Sequence, residues 1–88
     1  MITFDDARQV VADSASVREF FGDGFTVATH GWQNSDVFLI AVETSDGEPV
    51  FDAPELLVDK RTGELREIFG LLGRDPAPNL VPIGDAPA

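Results

Sequence analysis

Cysteine is absent from the 88 residues, which removes a disulfide framework, a thiolate zinc site and a cysteine nucleophile together. Histidine is nearly absent. His30 stands alone, so a histidine metal cluster is excluded and any Ser-His-Asp relay would have to be built around it. None of Ser14, Ser16, Ser35 or Ser45 lies in a Gly-x-Ser-x-Gly elbow. Placed beside Trp32 on one strand face, His30 reads as a packed or hydrogen-bonded structural residue rather than a general base. A phosphate-cradling glycine loop is missing too, because Gly22-x-Gly24 precedes a strand and not a helix. Asp46-Gly47-Glu48 runs into Pro49 and Phe51, which breaks the spacing of a calcium loop. No catalytic residue, metal-ligand set or cofactor site is therefore expected, and the enzyme reading is poor.

Long apolar runs are also lacking. The longest, Val37 to Val42, falls far short of the roughly 20 residues that a membrane span needs. Met1-Ile2-Thr3-Phe4-Asp5-Asp6 has neither a basic region nor an apolar core, so no signal peptide is expected. Cytoplasmic residence without membrane contact follows as the expectation.

Positive charge is scarce and unevenly placed. The formal net charge is −10, from 16 acids against 6 lysines and arginines. Before residue 60 the only cations are Arg8 and Arg18, whereas Lys60, Arg61, Arg66 and Arg74 crowd into the following fifteen positions. Such a field repels phosphate backbones, which argues against nucleic acid, and it attracts a basic protein partner. Solubility alone is the plainer explanation of the same acidity.

The most patterned stretch is Leu56 to Phe69, LLVDKRTGELREIF. Two short apolar runs flank the polar turn Asp59-Lys60-Arg61-Thr62-Gly63-Glu64. Gly63 can take φ > 0 at little steric cost, and Asp59 can bond forward into the turn. The loop is too long for a two-residue connection, so a hairpin of four to five loop residues around a type I turn is predicted. Upstream, Thr3-Phe4-Asp5-Asp6 forms a capping pattern with acids suited to the helix dipole. Phe4, Ala7, Val10, Val11, Ser14, Val17 and Phe21 then recur at spacings of three and four. Weak helix formers at Asp13-Ser14-Ala15-Ser16, with a second capping box opening at Ser16, break the pattern near residue 14. A helix over 3–13 and a second helical piece over 16–21 are predicted.

Gly22-Asp23-Gly24 stops the helical period. A strand is predicted over 25–32, and the continuous apolar run 37–42 reads as a central strand covered on both faces. Val50-Phe51 would make a short edge segment, restricted by Pro49 and Pro54. Residues 74–88 carry Pro76, Pro78, Pro82 and Pro87 and are predicted to form an extended tail, with Leu80, Val81 and Ile83 packed on the domain and residues 85–88 frayed. The fold class is therefore α+β. An N-terminal helix, broken near residue 14, packs on a four-stranded antiparallel sheet in one domain over residues 1–73, followed by the Pro-rich tail over 74–88.

Three features together carry a family likeness: the Asp6-Ala7-Arg8 helix, the Gly31-Trp32 pair ahead of the Val37–Val42 strand, and Leu57-Val58-Asp59-Lys60-x-Thr62-Gly63-Glu64. In these the chain resembles the YrhB-type immunity-protein domains of bacteria, often found near polymorphic toxin systems. The Val-Asp-Lys-x-Thr-Gly-Glu segment also looks like the last hairpin of PepSY-type domains, which pack a helix on a small antiparallel sheet. The resemblance implies a non-enzymatic binding protein that neutralises a toxin, here a basic one, and supplies no catalytic residues. A PepSY-like scaffold making sheet-edge contacts is the alternative, and a small domain with no readable activity is the other. The expected partner-binding residues are Trp32 and the acids Asp36, Asp46, Glu48 and Asp52. Trp32 follows Gly31 at a strand end and belongs to a residue type enriched in binding hot spots.

Overall fold

Thr3 starts the fold as the spacing predicts. Its hydroxyl accepts the Asp6 N–H at 3.1 Å while the Asp6 carboxylate accepts the Thr3 N–H at 3.0 Å, a complete capping box. The computed structural model describes residues 1–47, 53–70 and 74–84. The elements are α1 (Phe4–Ala12), α2 (Ala15–Phe21), β1 (Thr26–Gln33), β2 (Val37–Glu43), β3 (Glu55–Asp59), β4 (Leu65–Ile68) and β5 (Val81–Gly84). The class is α+β: two helices pack on a five-stranded antiparallel sheet ordered β4-β3-β2-β1-β5. Among the described residues, no helix is long and apolar enough to cross a membrane.

The helical break falls where the weak helix formers stand, but its cap is Ser14 and not Ser16. The Ser14 hydroxyl accepts the Val17 N–H at 3.3 Å. Ser16, inside the first turn of α2, instead donates its hydroxyl to the Glu67 carboxylate on β4. A hydroxyl serves either role, and the tertiary partner on β4 is invisible to a local capping pattern.

The four predicted strands are all present, with boundaries moved by a residue or two, but the sheet has a fifth. Val81–Gly84 pairs with β1 through His30–Gly84, Gly31–Ile83, Trp32–Pro82 and Gln33–Val81. The prolines of 74–88 predict an extended tail with no helix or interior strand, and residues 81–84 of it pair as an edge strand. An edge strand pairs on one side only, so it tolerates Pro82 where an interior strand would not. Val50-Phe51, expected as a short edge segment, and residues 85–88, expected to fray, lie outside the described residues.

The core lies between the helices and one face of the sheet. Ala7, Val11, Val17 and Val58 have no accessible surface, and Leu56, Ile40 and Phe38 are nearly as well buried. Each fully buried aliphatic side chain contributes about 1.5–3 kcal/mol of transfer free energy. Two details fix α1 on this face. Arg8 donates Nε to the Ala28 carbonyl at 2.8 Å and a terminal nitrogen to the Val27 carbonyl at 3.2 Å, at the point where the β1–β2 register shifts between Val27 and Gly31. The guanidinium thus ties α1 to the β1 backbone beside the irregularity in the ladder. The Phe4 ring lies over Gly31 and Gly84, where a Cβ would stand 3.1 Å and 2.8 Å from its atoms, and it tilts against Phe38 at 5.7 Å between centroids. Two bare backbones on adjacent strands make the seat for one aromatic ring.

The hairpin turn closes as its residues require. Gly63 holds φ = 73°, and the Asp59 carboxylate accepts the Arg61 and Thr62 N–H groups at 2.7 and 3.1 Å. Those bonds to the charged form hold the Asp59 carboxyl below the ordinary aspartate range, with Arg66 and Arg61 adding to the effect. The Ile2 N–H donates to the Lys60 carbonyl at 2.8 Å and ties the N-terminus to this turn.

Candidate functional site

Strand alternation divides the sheet into a helix-covered face and a helix-free one. Gly31, Ile40 and Leu56 point to the helices. Their neighbours Trp32, Leu39 and Leu57 point the other way. The registers align Pro82, Trp32, Leu39, Leu57 and Arg66 as one row across all five strands on the helix-free face. Leu39 and Leu57 are only 8% and 6% exposed although neither α1 nor α2 covers them. The central strand is thus buried on both sides, as its unbroken apolar run demands.

Residues 74–80 cross this face. The Asn34 side-chain amide donates to the Pro78 carbonyl at 3.0 Å, while its oxygen accepts the Asp36 and Val37 N–H groups at 2.8 and 2.9 Å. One asparagine therefore shapes the β1–β2 turn and pins the 74–80 segment beside it. Between that segment and the sheet lies an open cleft of about 500 Å³. Trp32 and Leu39 line it from the sheet, and Pro76 and Leu80 from the crossing segment. Glu55, Asp75 and Arg74 supply its charged lining, all three on exposed residues. Arg74 is engaged within the fold. The His30 imidazole stands edge-on to the Trp32 indole with centroids 5.9 Å apart, on the same strand face as the sequence predicts.

Of the expected binding residues that the structure describes, Trp32 alone lines this cleft. Asp36 is exposed in the β1–β2 turn, where its carbonyl accepts the Lys60 N–H at 2.9 Å. Asp46 is exposed in the β2–β3 connection and accepts the Thr44 hydroxyl at 2.9 Å. The whole length of β2, on the order of 20 Å, separates Asp36 from Asp46. These two acids do not form one site. Glu48 and Asp52 lie outside the described residues. The residues that do join Trp32, namely Glu55, Asp75, Pro76 and Leu80, come from later parts of the chain. One signal for Glu55 was present in the sequence: it stands two residues before Leu57, on the same face of the same strand.

Among the described residues, no group of three or more His, Cys, Asp or Glu side chains could hold a metal ion. Among the described residues, the carboxyls whose titration is displaced, Asp6 and Asp59, owe it to Thr3 and to turn N–H groups, and neither lines the cleft. The cleft offers an aromatic wall, an apolar floor and two carboxylates.

The two sheet edges differ. β5 is shielded by its proline. β4, Leu65-Arg66-Glu67-Ile68, carries none, and next to its end Phe20 and Phe69 are 39% and 53% exposed with rings 5.3 Å apart. Because Asp59 and Glu64 form a hydrogen-bonded pair, Leu65 and Glu67 direct their backbone groups away from β3, toward the free edge.

No family model matches the chain, and no curated protein or solved structure matches it either.

Proposed function

We propose that this chain is a cytoplasmic, non-enzymatic protein-binding module of the immunity type, which neutralises a basic bacterial toxin by occupying its surface. The observation that carries the reading is the helix-free sheet face: a half-buried tryptophan in an open cleft, with Glu55 and Asp75 beside it, in a chain of net charge −10. Tryptophan is enriched at binding hot spots, and acidic surroundings steer a basic partner while rejecting nucleic acid. The sequence likeness to YrhB-type domains points the same way. Affinity purification of the tagged chain from its host tests this. Recovery of a basic protein that is toxic when expressed alone and harmless when co-expressed with this chain supports the reading; recovery of no such protein sinks it.

A second reading has its own observation. The open β4 edge beside the exposed Phe20–Phe69 pair suits strand addition by a partner segment, as a PepSY-like scaffold would use it. A proline at Glu67 would remove the outward N–H and block that mode while leaving the Trp32 face intact.

A further inference from the structure

We infer that the Trp32 cleft is a subsite for a single cationic side chain, an arginine or lysine presented by the partner, with the cation against the indole and paired with Glu55 and Asp75. The inference deepens the protein-binding reading and rests on it for the identity of the partner, though not for the existence of the subsite. Three features converge. A cleft of about 500 Å³ falls within the range of small-ligand sites of roughly 300–1,000 Å³, so it accepts a whole side chain rather than a surface contact. Its wall is tryptophan, the strongest of the aromatic cation acceptors, and its floor is Leu39, which suits an aliphatic stem. Among the described residues its two carboxylates outnumber its one guanidinium, and Arg74 is already engaged within the fold.

Other occupants fit less well. An anionic group would meet Glu55 and Asp75 and the field of the whole chain. A neutral apolar side chain would cover Leu39 and Leu80 but leave both carboxylates to be partly desolvated without a counter-charge. A cation on an apolar stem satisfies the floor, the wall and the rim together. Arginine satisfies them best, because its planar fork can stack on the indole while donating to a carboxylate.

Trp32 is the sole tryptophan and tyrosine is absent, so intrinsic fluorescence and the single indole N–H resonance both report on the cleft. The full chain is titrated with N-acetyl-argininamide, with N-acetyl-norleucinamide as the neutral control of similar stem length. The expected result is a saturable shift of both indole signals by the arginine probe in the millimolar range, at least about tenfold weaker for norleucine. Glu55→Gln combined with Asp75→Asn should weaken the arginine response several-fold with the circular dichroism unchanged, since both residues are exposed. Equal responses to the two probes overturn the proposal, as does an arginine response indifferent to the double variant, or no saturable shift at all. If the cation response is absent while a purified basic partner still loses affinity on Trp32→Ala, the subsite fails and the binding reading stands. If the cation binds and no basic protein does, the subsite stands and the immunity reading fails.

Discussion

Replacing Gly31 by alanine tests the packing of α1 on the sheet through the sign of the effect. Glycine within a strand is ordinarily a weakness of about 0.5–1 kcal/mol relative to alanine, so at an open strand position the substitution would stabilise. At Gly31 the added Cβ would stand well inside van der Waals contact distance of the Leu39 carbonyl oxygen and 3.1 Å from the Phe4 ring. The carbonyl belongs to the β2 backbone, paired with β1 on one side and β3 on the other, so it cannot swing away as a long side chain would. Overpacking of this kind costs roughly 1–3 kcal/mol, which exceeds the propensity gain. The net prediction is destabilisation, seen as a fall in Tm of about 4 °C or more for a domain of this size. Circular dichroism is the observable of choice, because Trp32 adjoins the altered residue and its fluorescence would change for local reasons. A Phe4→Leu background divides the cost. The part owed to the ring is relieved and the part owed to the carbonyl persists, giving a coupling of about 0.5–2 kcal/mol in the double-mutant cycle. A Gly31→Ala variant with raised Tm, or a cycle with no coupling, would show that the ring does not sit where two glycines leave room for it.

The remaining predictions concern single contacts. Gly63→Val forces a β-branched residue to φ near 73° and should cost about 1–3 kcal/mol by chemical denaturation; an unchanged midpoint would contradict the turn geometry. Arg8→Met withdraws the guanidinium from the Val27 and Ala28 carbonyls and should cost about 1–2 kcal/mol, seen as a lower urea midpoint at constant slope. Asp6 and Asp59 both titrate below the ordinary aspartate value of 3.8 when folded, so their stabilisation is complete above that value and is lost as pH falls through the depressed folded values. Tm should therefore decline as pH drops below about 4, and Asp59→Asn should flatten that decline; an identical acid limb in the variant would refute the assignment.

Local chemistry made much of this fold readable before any coordinates. The Thr3 capping box, the break near Ser14, the apolar central strand and the Gly63 turn each depend on residues within a few positions of one another. That is why their patterns survive in the linear text. β5 does not have this property. Val81–Gly84 is a strand only because β1 offers a free edge some fifty residues upstream, and its own composition, with Pro82 and the neighbouring prolines, argues against a helix or an interior strand and names no partner. The Ser16–Glu67 bond, which leaves capping to Ser14, is of the same non-local kind.

The candidate site was less legible than the fold. Trp32 stands out by residue type alone, but its companions Glu55 and Asp75 are dispersed in sequence and meet it only through sheet register and the return of the 74–80 segment. Acidity was readable as a total, whereas its distribution over faces was not. Asp36 and Asp46 look equivalent in the sequence, yet β2 holds them at opposite ends. Gly31 beside Trp32 reads as a motif. In the structure the two residues serve opposite faces of one strand, one seating Phe4 and the other lining the cleft.

The central claim is that a basic protein docks on the helix-free face through Trp32. Titration calorimetry of the purified partner against the wild-type chain and the Trp32→Ala variant measures it directly, with thermal unfolding run alongside to verify that both chains are folded. Loss of a hot-spot residue costs 2 kcal/mol or more, so the predicted outcome is an affinity lowered by roughly thirtyfold or more in the variant. Equal affinities for the two folded chains would place the interface elsewhere and contradict the account.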